Sequence, residues 1–244
     1  MKTIKLSVLL SALFLITGFN ANAQDGNTIL KKLDAVMYSP KDMTGKMQII
    51  LIDKTGKKKV REATTIQKGT DKRLFRFTAP ASQAGIATLS LPNDVMYLYM
   101  PAFGKERRIS SSVKSSKFAG TDFAYEDMEA KLFVNKYTAK LLKKEGNLLV
   151  VELKPKSQKS SYSKVIVKLE KTNYYPTYME FYDKGNKMIK KANYKFEKIG
   201  KYWNAKEITM TDLKKNHTTK MIMSNVKYDQ NLSNEEFTVR KLKQ

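Results

Sequence analysis

Apolar and polar positions alternate with a period of two along most of the chain. The stretches 47–52, 95–100 and 165–169 show this alternation most clearly, and side chains two positions apart share one face of a β-strand. Short segments rich in Gly, Asn, Asp and Lys separate such stretches, as 144–147 does. The pattern predicts about eleven strands with short connections, over 47–52, 60–68, 73–78, 95–100, 137–143, 148–154, 165–169, 177–182, 192–196, 206–213 and 217–228.

One segment ahead of the strands has a helical period instead. Ile29, Leu30 and Leu33 recur at the spacing that places side chains on one face of a helix. Asp34 is expected to face away from them. The sequence therefore predicts one amphipathic helix over 27–39.

Several predicted strands are apolar on both faces, notably 47–52, 95–100 and 177–182. An antiparallel sheet in a soluble protein commonly leaves one face in water, so two apolar faces need a covering helix or a lined cavity. No spacing typical of alternating strands and helices is present, and no change in composition marks a domain boundary. These features predict one mainly β domain, with a curved and partly closed antiparallel sheet around or beneath the helix.

The first residues are typical of an export signal. Lys2 and Lys5 precede the apolar segment 6–19, and Ala21-Asn22-Ala23 matches a cleavage site. A membrane anchor is the alternative, but this apolar segment is shorter than the roughly 20 residues that span a bilayer. We expect residues 1–23 to be a signal peptide cleaved after Ala23, and residues 24–244 to be one soluble periplasmic domain. Without a cysteine after the cleavage site, a lipid anchor is not expected.

Composition and charge narrow the possible functions. The 244 residues include no cysteine and one histidine, which excludes disulfide scaffolds, thiolate metal sites, cysteine nucleophiles and multi-histidine metal sites. No cofactor is indicated. The net charge is +23, falling to +21 with loss of Lys2 and Lys5. The lysines alternate with apolar residues and fill turns, so they form a solvated outer layer that favours anionic membrane surfaces. Because the protein is exported, nucleic acid is not an expected partner.

Two strings in the middle of the chain are more specific. The first reads Tyr97-Leu98-Tyr99-Met100-Pro101 and is followed by Arg107-Arg108-Ile109. The second, called the motif below, reads Phe118-Ala119-Gly120-Thr121-Asp122-Phe123-Ala124-Tyr125-Glu126-Asp127. Together with the ending at 231–238, they resemble the outer-membrane lipoprotein-sorting protein family, relatives of the periplasmic lipoprotein carrier LolA. The resemblance covers nearly the whole mature chain, and the motif is its most specific part.

The resemblance implies a half-open antiparallel β-barrel capped by a few short helices over an apolar cavity. It implies a periplasmic carrier that binds the acyl chains of a lipoprotein or lipid and delivers it toward the outer membrane, as a monomer and without catalysis. Relatives in this branch often accompany transporters of the resistance–nodulation–division type, so an inner-membrane transporter is an implied partner. The alternatives are a non-enzymatic accessory subunit of such a transporter without lipid cargo, and a binder of anionic envelope polymers.

The predicted cavity wall combines the apolar strand faces. Methionine adapts to variable apolar ligands, and the chain contains twelve methionines. A shift of one residue in strand register would exchange the two faces. The predicted lining residues are Met47, Ile49, Leu51, Phe75, Phe77, Met96, Leu98, Met100, Val165, Val167, Met179 and Phe181.

The motif also has a direct physical interpretation. Thr121 and Asp122 are expected to cap a short helix over 123–133. Glu126 and Asp127 would then lie in its first turns, where acidic side chains suit the helix dipole. The motif is thus interpreted as a structural clasp.

A functional alternative makes this clasp a latch that opens when cargo arrives. Arg107 and Arg108 are close enough in sequence to pair with the motif carboxylates, and those contacts would hold the latch closed. The residues of this prediction are Pro101, Arg107, Arg108, Phe118, Gly120, Thr121, Asp122, Phe123, Tyr125, Glu126 and Asp127.

An enzyme is not indicated. The carboxylates Asp122, Glu126 and Asp127 are the residue types of a glycosidase or metal site, but calcium-loop spacing is absent. The serines between 110 and 116 do not form a Gly-x-Ser-x-Gly nucleophile turn. His217 is expected to be either a surface residue or a buried residue with its hydrogen bonds satisfied.

Overall fold

The computed structural model describes residues 21–244. The predicted signal peptide lies outside these residues, apart from its last three positions. Within the described residues, no helix has the length and apolar character needed to cross a membrane.

Residues 21–244 form thirteen strands and four α-helices. The helices are α1 (Ala21–Met37), α2 (Tyr125–Met128), α3 (Phe133–Lys136) and α4 (Val239–Leu242). The strands are β1 (Asp42–Ile52), β2 (Lys58–Lys68), β3 (Lys72–Ala79), β4 (Ala87–Leu91), β5 (Val95–Met100), β6 (Lys105–Arg108), β7 (Tyr137–Glu145), β8 (Leu148–Pro155), β9 (Lys164–Glu170), β10 (Pro176–Tyr182), β11 (Met188–Ile199), β12 (Tyr202–Asp212) and β13 (His217–Tyr228).

All thirteen strands belong to one antiparallel sheet that does not close. Its order is β6-β5-β4-β3-β2-β1-β13-β12-β11-β10-β9-β8-β7. Strands that follow one another in sequence pair, except β6 and β7, and β1 pairs with β13. β6 and β7 are the two free edges. The chain between them, 109–136, contains the motif and the helices α2 and α3. The predicted half-open β-barrel with short helices is confirmed, with two more strands than the sequence indicated.

The two additional strands, β4 and β6, lack the inward apolar pattern of the others. In β4, the small polar side chains of Thr88 and Ser90 are buried, whereas Leu89 packs in an outer cluster. β6 consists of four charged residues, a composition typical of edge strands that avoid further pairing. β4 does alternate apolar and polar residues, but only over five positions and with its apolar side chains on the outer face, whereas β6 has no apolar residue.

Helix α1 is buried against the β7 edge of the sheet. Ile29, Leu30 and Leu33 lie in the inner core, as predicted. Asp34, expected to face away, is only 5% exposed, because its carboxylate accepts hydrogen bonds from the amides of Phe133 (2.7 Å) and Val134 (2.9 Å). Burial raises the pKa of Asp34 despite these bonds. Asp34 therefore joins α1 to the start of α3.

Close approach of backbone also positions α1. A Cβ added to Gly26 would lie 2.4 Å from the carbonyl oxygen of Ala139 in β7. Such a distance is far inside van der Waals contact, so only glycine fits here. Asn27 adds a hydrogen bond, because its side-chain oxygen accepts from the Ala139 amide at 3.2 Å. The helix and the edge strand are thus held in one relative position.

A smaller cluster covers the outer face of β3 and β4. Leu74, Ala87 and Leu89 pack there with Phe237 and Leu242 from the C-terminal segment. This segment supplies α4 and the 3₁₀ turn Asn234–Phe237. The cluster explains why the strands of this region are apolar on both faces.

Replacement of Asp34 tests the joint between α1 and α3. We expect Asp34→Ala to lower the free energy of unfolding by about 1–3 kcal/mol, because it leaves two backbone donors unsatisfied. Urea unfolding of the purified protein measures this change. Lys31→Ala on the exposed face of the same helix is the matched control, and we expect it to change stability by less than about 0.5 kcal/mol. Equal losses in the two variants would contradict the role given to Asp34.

Candidate functional site

The inner face of the sheet encloses a cavity of about 240 Å³. Strands β1, β3, β8–β10, β12 and β13 form much of its wall, and α1–α3 cover it. Phe75, Val165, Phe181 and Ile208 are representative of the mainly apolar surface. The cavity is therefore a space suited to an apolar occupant.

Methionine is the most frequent residue type in this wall. Eight of the twelve methionines of the chain line it, from α1, α2, β1, β10, β12 and β13. Their unbranched side chains rotate about three bonds and adapt to irregular shapes. The methionine-rich composition noted in the sequence is thus concentrated at the cavity, at Met37, Met43, Met47, Met128, Met179, Met210, Met221 and Met223.

The sequence-predicted lining residues fall into two groups. Eleven of the twelve lie in the inner core or pack against it, Met100 being the other. Five of them line the cavity: Met47, Phe75, Val165, Met179 and Phe181. The remaining seven lie away from its wall: Ile49, Leu51, Phe77, Met96, Leu98, Met100 and Val167.

The motif accounts for part of this division, because its first residue fills the inner space beside Phe77. Phe118 is fully buried, with ring centroids 5.2 Å from Phe75, 6.0 Å from Phe77 and 5.5 Å from Tyr125. The chain then turns sharply at Gly120, whose φ of +74° favours glycine. Phe118 consequently fills the space beside Phe77, while Phe75 lies between this packed region and the cavity.

Asp122 joins the motif to β13. Its carboxylate is fully buried and meets the Thr219 hydroxyl at 2.7 Å, the His217 Nδ1 at 2.6 Å and the Lys117 ammonium at 3.2 Å. The backbone amide of Asp122 also donates to the Thr219 hydroxyl at 3.0 Å. Asp122 is therefore not the predicted helix cap, and His217 is half-buried with a satisfied hydrogen bond. Thr219 and His217 are more than ninety residues away in sequence, so a local motif pattern did not reveal them.

Glu126 and Asp127 join α2 to the loop 156–163. The Glu126 carboxylate accepts from the Ser160 hydroxyl at 2.8 Å and the Ser161 amide at 3.0 Å. Asp127 accepts from the Tyr162 hydroxyl at 3.0 Å. The Asp127 carboxylate also caps α2, since it accepts from the backbone amide of the residue before the helix at 2.7 Å. The predicted helix over 123–133 is wrong in extent: only α2 lies within it, and α3 begins at its last residue.

Arg107 and Arg108 do not make the predicted contacts with the motif. Among the described residues, no ion pair joins either arginine to Asp122, Glu126 or Asp127. The three carboxylates are occupied by the partners given above. Both arginines are exposed on the edge strand β6, and Arg107 lies over the Phe103 ring at 5.3 Å. The prediction that Arg107 and Arg108 hold a latch closed through the motif carboxylates is therefore wrong.

Two other arginines hold the segment between the free edges. Arg61 donates to the Ala119 carbonyl at 2.6 Å, and Arg73 donates to the Met128 carbonyl at 3.2 Å. Neither contact is predictable from local sequence, because the partners lie more than fifty residues away. One signal was available: Arg73 is in phase with Phe75 on the inward face of β3, where an isolated charge requires a partner.

Burial shifts ionisable groups on the cavity wall toward their neutral forms. It raises the pKa of Tyr137 well above its ordinary value and also raises the pKa of Tyr194. It lowers the pKa of Lys136 at the rim, although the nearby carboxylates of Asp127, Glu129 and Glu126 act in the opposite direction.

Comparison with known proteins extends these observations. A family model with the description "-like: Uncharacterized protein" matches residues 69–244. A solved protein domain from Vibrio parahaemolyticus, described as outer membrane lipoprotein-sorting, is 30% identical with a TM-score of 0.85. The match covers 91% of this chain and 100% of that one. The chain belongs to the outer-membrane lipoprotein-sorting protein family.

Two further solved structures share the fold of this chain. A DUF1329 family protein from Desulfovibrio piger is 25% identical, with a TM-score of 0.84 over 91% of this chain and 99% of that chain. A LolA superfamily protein from Nitrosomonas europaea is 23% identical, with a TM-score of 0.76 over the same shares, and shows the common fold. No curated protein matches the chain. The family resemblance read from the motif is confirmed.

Removal of the Asp122 charge tests how strongly the motif is anchored. We expect Asp122→Asn to lower the free energy of unfolding by about 2 kcal/mol, because it weakens charged hydrogen bonds in a buried site. Chemical unfolding measures this change, and limited proteolysis within 109–124 reports whether the segment loosens.

The matched control is Asp94→Asn. Asp94 pairs with Lys131 at 2.6 Å but its side chain is 59% exposed, so we expect a loss below about 0.5 kcal/mol. An Asp122→Asn protein as stable and protease-resistant as this control would rule out Asp122 as the anchor of the motif.

Proposed function

We propose that this protein is a periplasmic carrier that binds the acyl chains of a lipoprotein or lipid in the methionine-rich cavity and delivers them toward the outer membrane. The observation that carries the proposal is the cavity itself, with its eight methionines, inside a LolA-like lipoprotein-sorting fold. Such a fold supports a periplasmic lipoprotein carrier role in general, and it is generally non-enzymatic. Binding and shielding, rather than reaction, are the proposed mechanism.

The energetics of an apolar cavity suit this role. Each CH₂ group removed from water contributes about 0.8 kcal/mol, so a bound acyl chain is stabilised in proportion to its buried length. Methionine side chains follow the shape of different chains without a fixed fit. Loose contacts of this kind support release of the cargo as well as its capture.

The size of the cavity implies movement during loading. Its volume of about 240 Å³ is below the roughly 300–1,000 Å³ typical of ligand sites. An acyl chain therefore displaces part of the wall, and the segment 109–136 is the proposed moving part because it lies between the unpaired edges β6 and β7. The contacts that would break are short-range polar ones, such as Arg73 to the Met128 carbonyl and Asp127 to Tyr162.

Mass spectrometry of co-purified material is the direct test of cargo binding. Protein purified from the native periplasm is extracted with organic solvent, and we expect acyl-chain lipids or lipoprotein fragments in the extract. Extracts without such molecules would count against the carrier and favour the accessory-subunit alternative.

A cavity-filling substitution locates the binding site. We expect Met47→Trp to lower the affinity for phospholipid about tenfold, since the larger ring occupies the space of the acyl chain. Displacement of a neutral fluorescent probe by phospholipid measures this affinity. Met188→Trp is the matched control, because Met188 is partly buried at the start of β11 but does not line the cavity. Thermal unfolding checks that both variants are folded. Similar lipid affinities in the two folded variants would place the site elsewhere.

A further inference from the structure

A second hollow, of about 270 Å³, lies beside the methionine-rich cavity. The two spaces share four wall residues, Glu129, Lys131, Lys136 and Tyr137. In contrast to the first space, the second is surrounded mainly by lysine, serine and carboxylate side chains. The apolar and the polar hollow are therefore neighbours, separated at most by these four side chains.

The carboxylates around this second hollow are already engaged. Glu129 forms an ion pair with Lys114, and Asp94 pairs with Lys131 at 2.6 Å. The Glu126 carboxylate accepts the hydrogen bonds from the two serines described above. These three groups therefore leave the other lysines of the wall without a carboxylate partner.

Three lysines of the wall form no ion pair among residues 21–244: Lys136, Lys156 and Lys159. The Lys136 ammonium donates only to the Glu126 carbonyl, at 2.6 Å, and the Lys156 ammonium donates to the Val134 carbonyl, at 2.7 Å. A backbone carbonyl carries no full charge, so neither ammonium group has a carboxylate in direct contact, although the carboxylates of Asp127, Glu129 and Glu126 lie near Lys136. Burial opposes the charged form of Lys136, as its lowered pKa indicates, so an anion beside it would be stabilising.

We propose that this second hollow, the headgroup pocket, binds the phosphate of the same lipid whose acyl chains occupy the methionine-rich cavity. The inference rests on the proposed carrier function and adds the cargo class: a lipid with a phosphate-bearing headgroup. A phosphate offers several acceptor oxygens to lysine ammonium groups, which act as strong charged donors. Lys136 and Tyr137 lie where the two parts of such a lipid would meet.

The test compares two lipids with the same acyl chains. Dioctanoyl phosphatidylglycerol carries a phosphate, whereas dioctanoylglycerol does not, and each is titrated against a neutral fluorescent probe bound to the full protein. We expect the phosphate-bearing lipid to bind about tenfold more tightly. We expect Lys156→Gln/Lys159→Gln to lower this preference at least about threefold and to leave dioctanoylglycerol binding unchanged.

Lys58→Gln/Lys59→Gln is the matched control, because it removes two exposed lysines of β2 far along the chain from the pocket residues. We expect it to keep the wild-type preference. For Lys136→Gln, we expect the ratio of the affinity for dioctanoyl phosphatidylglycerol to that for dioctanoylglycerol to fall as well. Thermal unfolding confirms that each variant is folded.

The outcomes separate the headgroup pocket from the carrier function. If neither lipid displaces the probe, the carrier function itself fails. If both displace it equally, or if Lys156→Gln/Lys159→Gln keeps the full preference, the headgroup pocket is overturned and the carrier function stands.

Inorganic phosphate distinguishes a lipid headgroup from a free anion. Weak competition by phosphate against phosphatidylglycerol, but not against dioctanoylglycerol, supports the proposal. Free phosphate that binds more tightly than the phosphate-bearing lipid would overturn it, because the pocket would then be a site for a soluble anion.

Discussion

A sheet of thirteen antiparallel strands that does not close must protect two free edges and an apolar inner face. The segment 109–136 meets both requirements because it connects the edge strands β6 and β7 across the opening. Its position depends on the buried carboxylate of Asp122, which reaches Thr219 and His217 on a strand at the middle of the sheet order. With that anchor in place, Phe118 enters the inner space and α2 and α3 cover what remains.

The same arrangement explains why the inner space is partly solid and partly hollow. Aromatic rings are rigid and fill the region near β3, where Phe118 packs against Phe75 and Phe77. Methionines surround the other region and leave a cavity. Rigid packing on one side gives the fold its stability, and an adaptable wall on the other gives it room for cargo. The lysines of the headgroup pocket stand at the border, where an apolar chain would end and a charged group begin.

The fold was largely predictable from local patterns, whereas the site was predictable only in part. Strand alternation identified inward side chains such as Met47 and Met179, because the period of two is a property of each strand alone. The partners of the motif were not accessible in this way. Arg107 and Arg108 are near the motif carboxylates in sequence, yet Lys117 and residues of β13 occupy Asp122 in the structure. Contacts between charged groups depend on which elements the folded chain brings together.

By itself, the sequence determined the mainly β class, the faces of most strands, the burial of the N-terminal helix and the family to which the motif points. All of these follow from the spacing of residue types over short distances. The tertiary structure alone decided that Asp34 is buried, that Arg61 and Arg73 hold the motif segment, and that five of the predicted lining residues face the cavity. The physical reason is that empty space and long-range pairing are properties of the assembled sheet. Whether an inward side chain faces the cavity or packs against Phe118 depends on the position of the segment 109–136 in the folded protein.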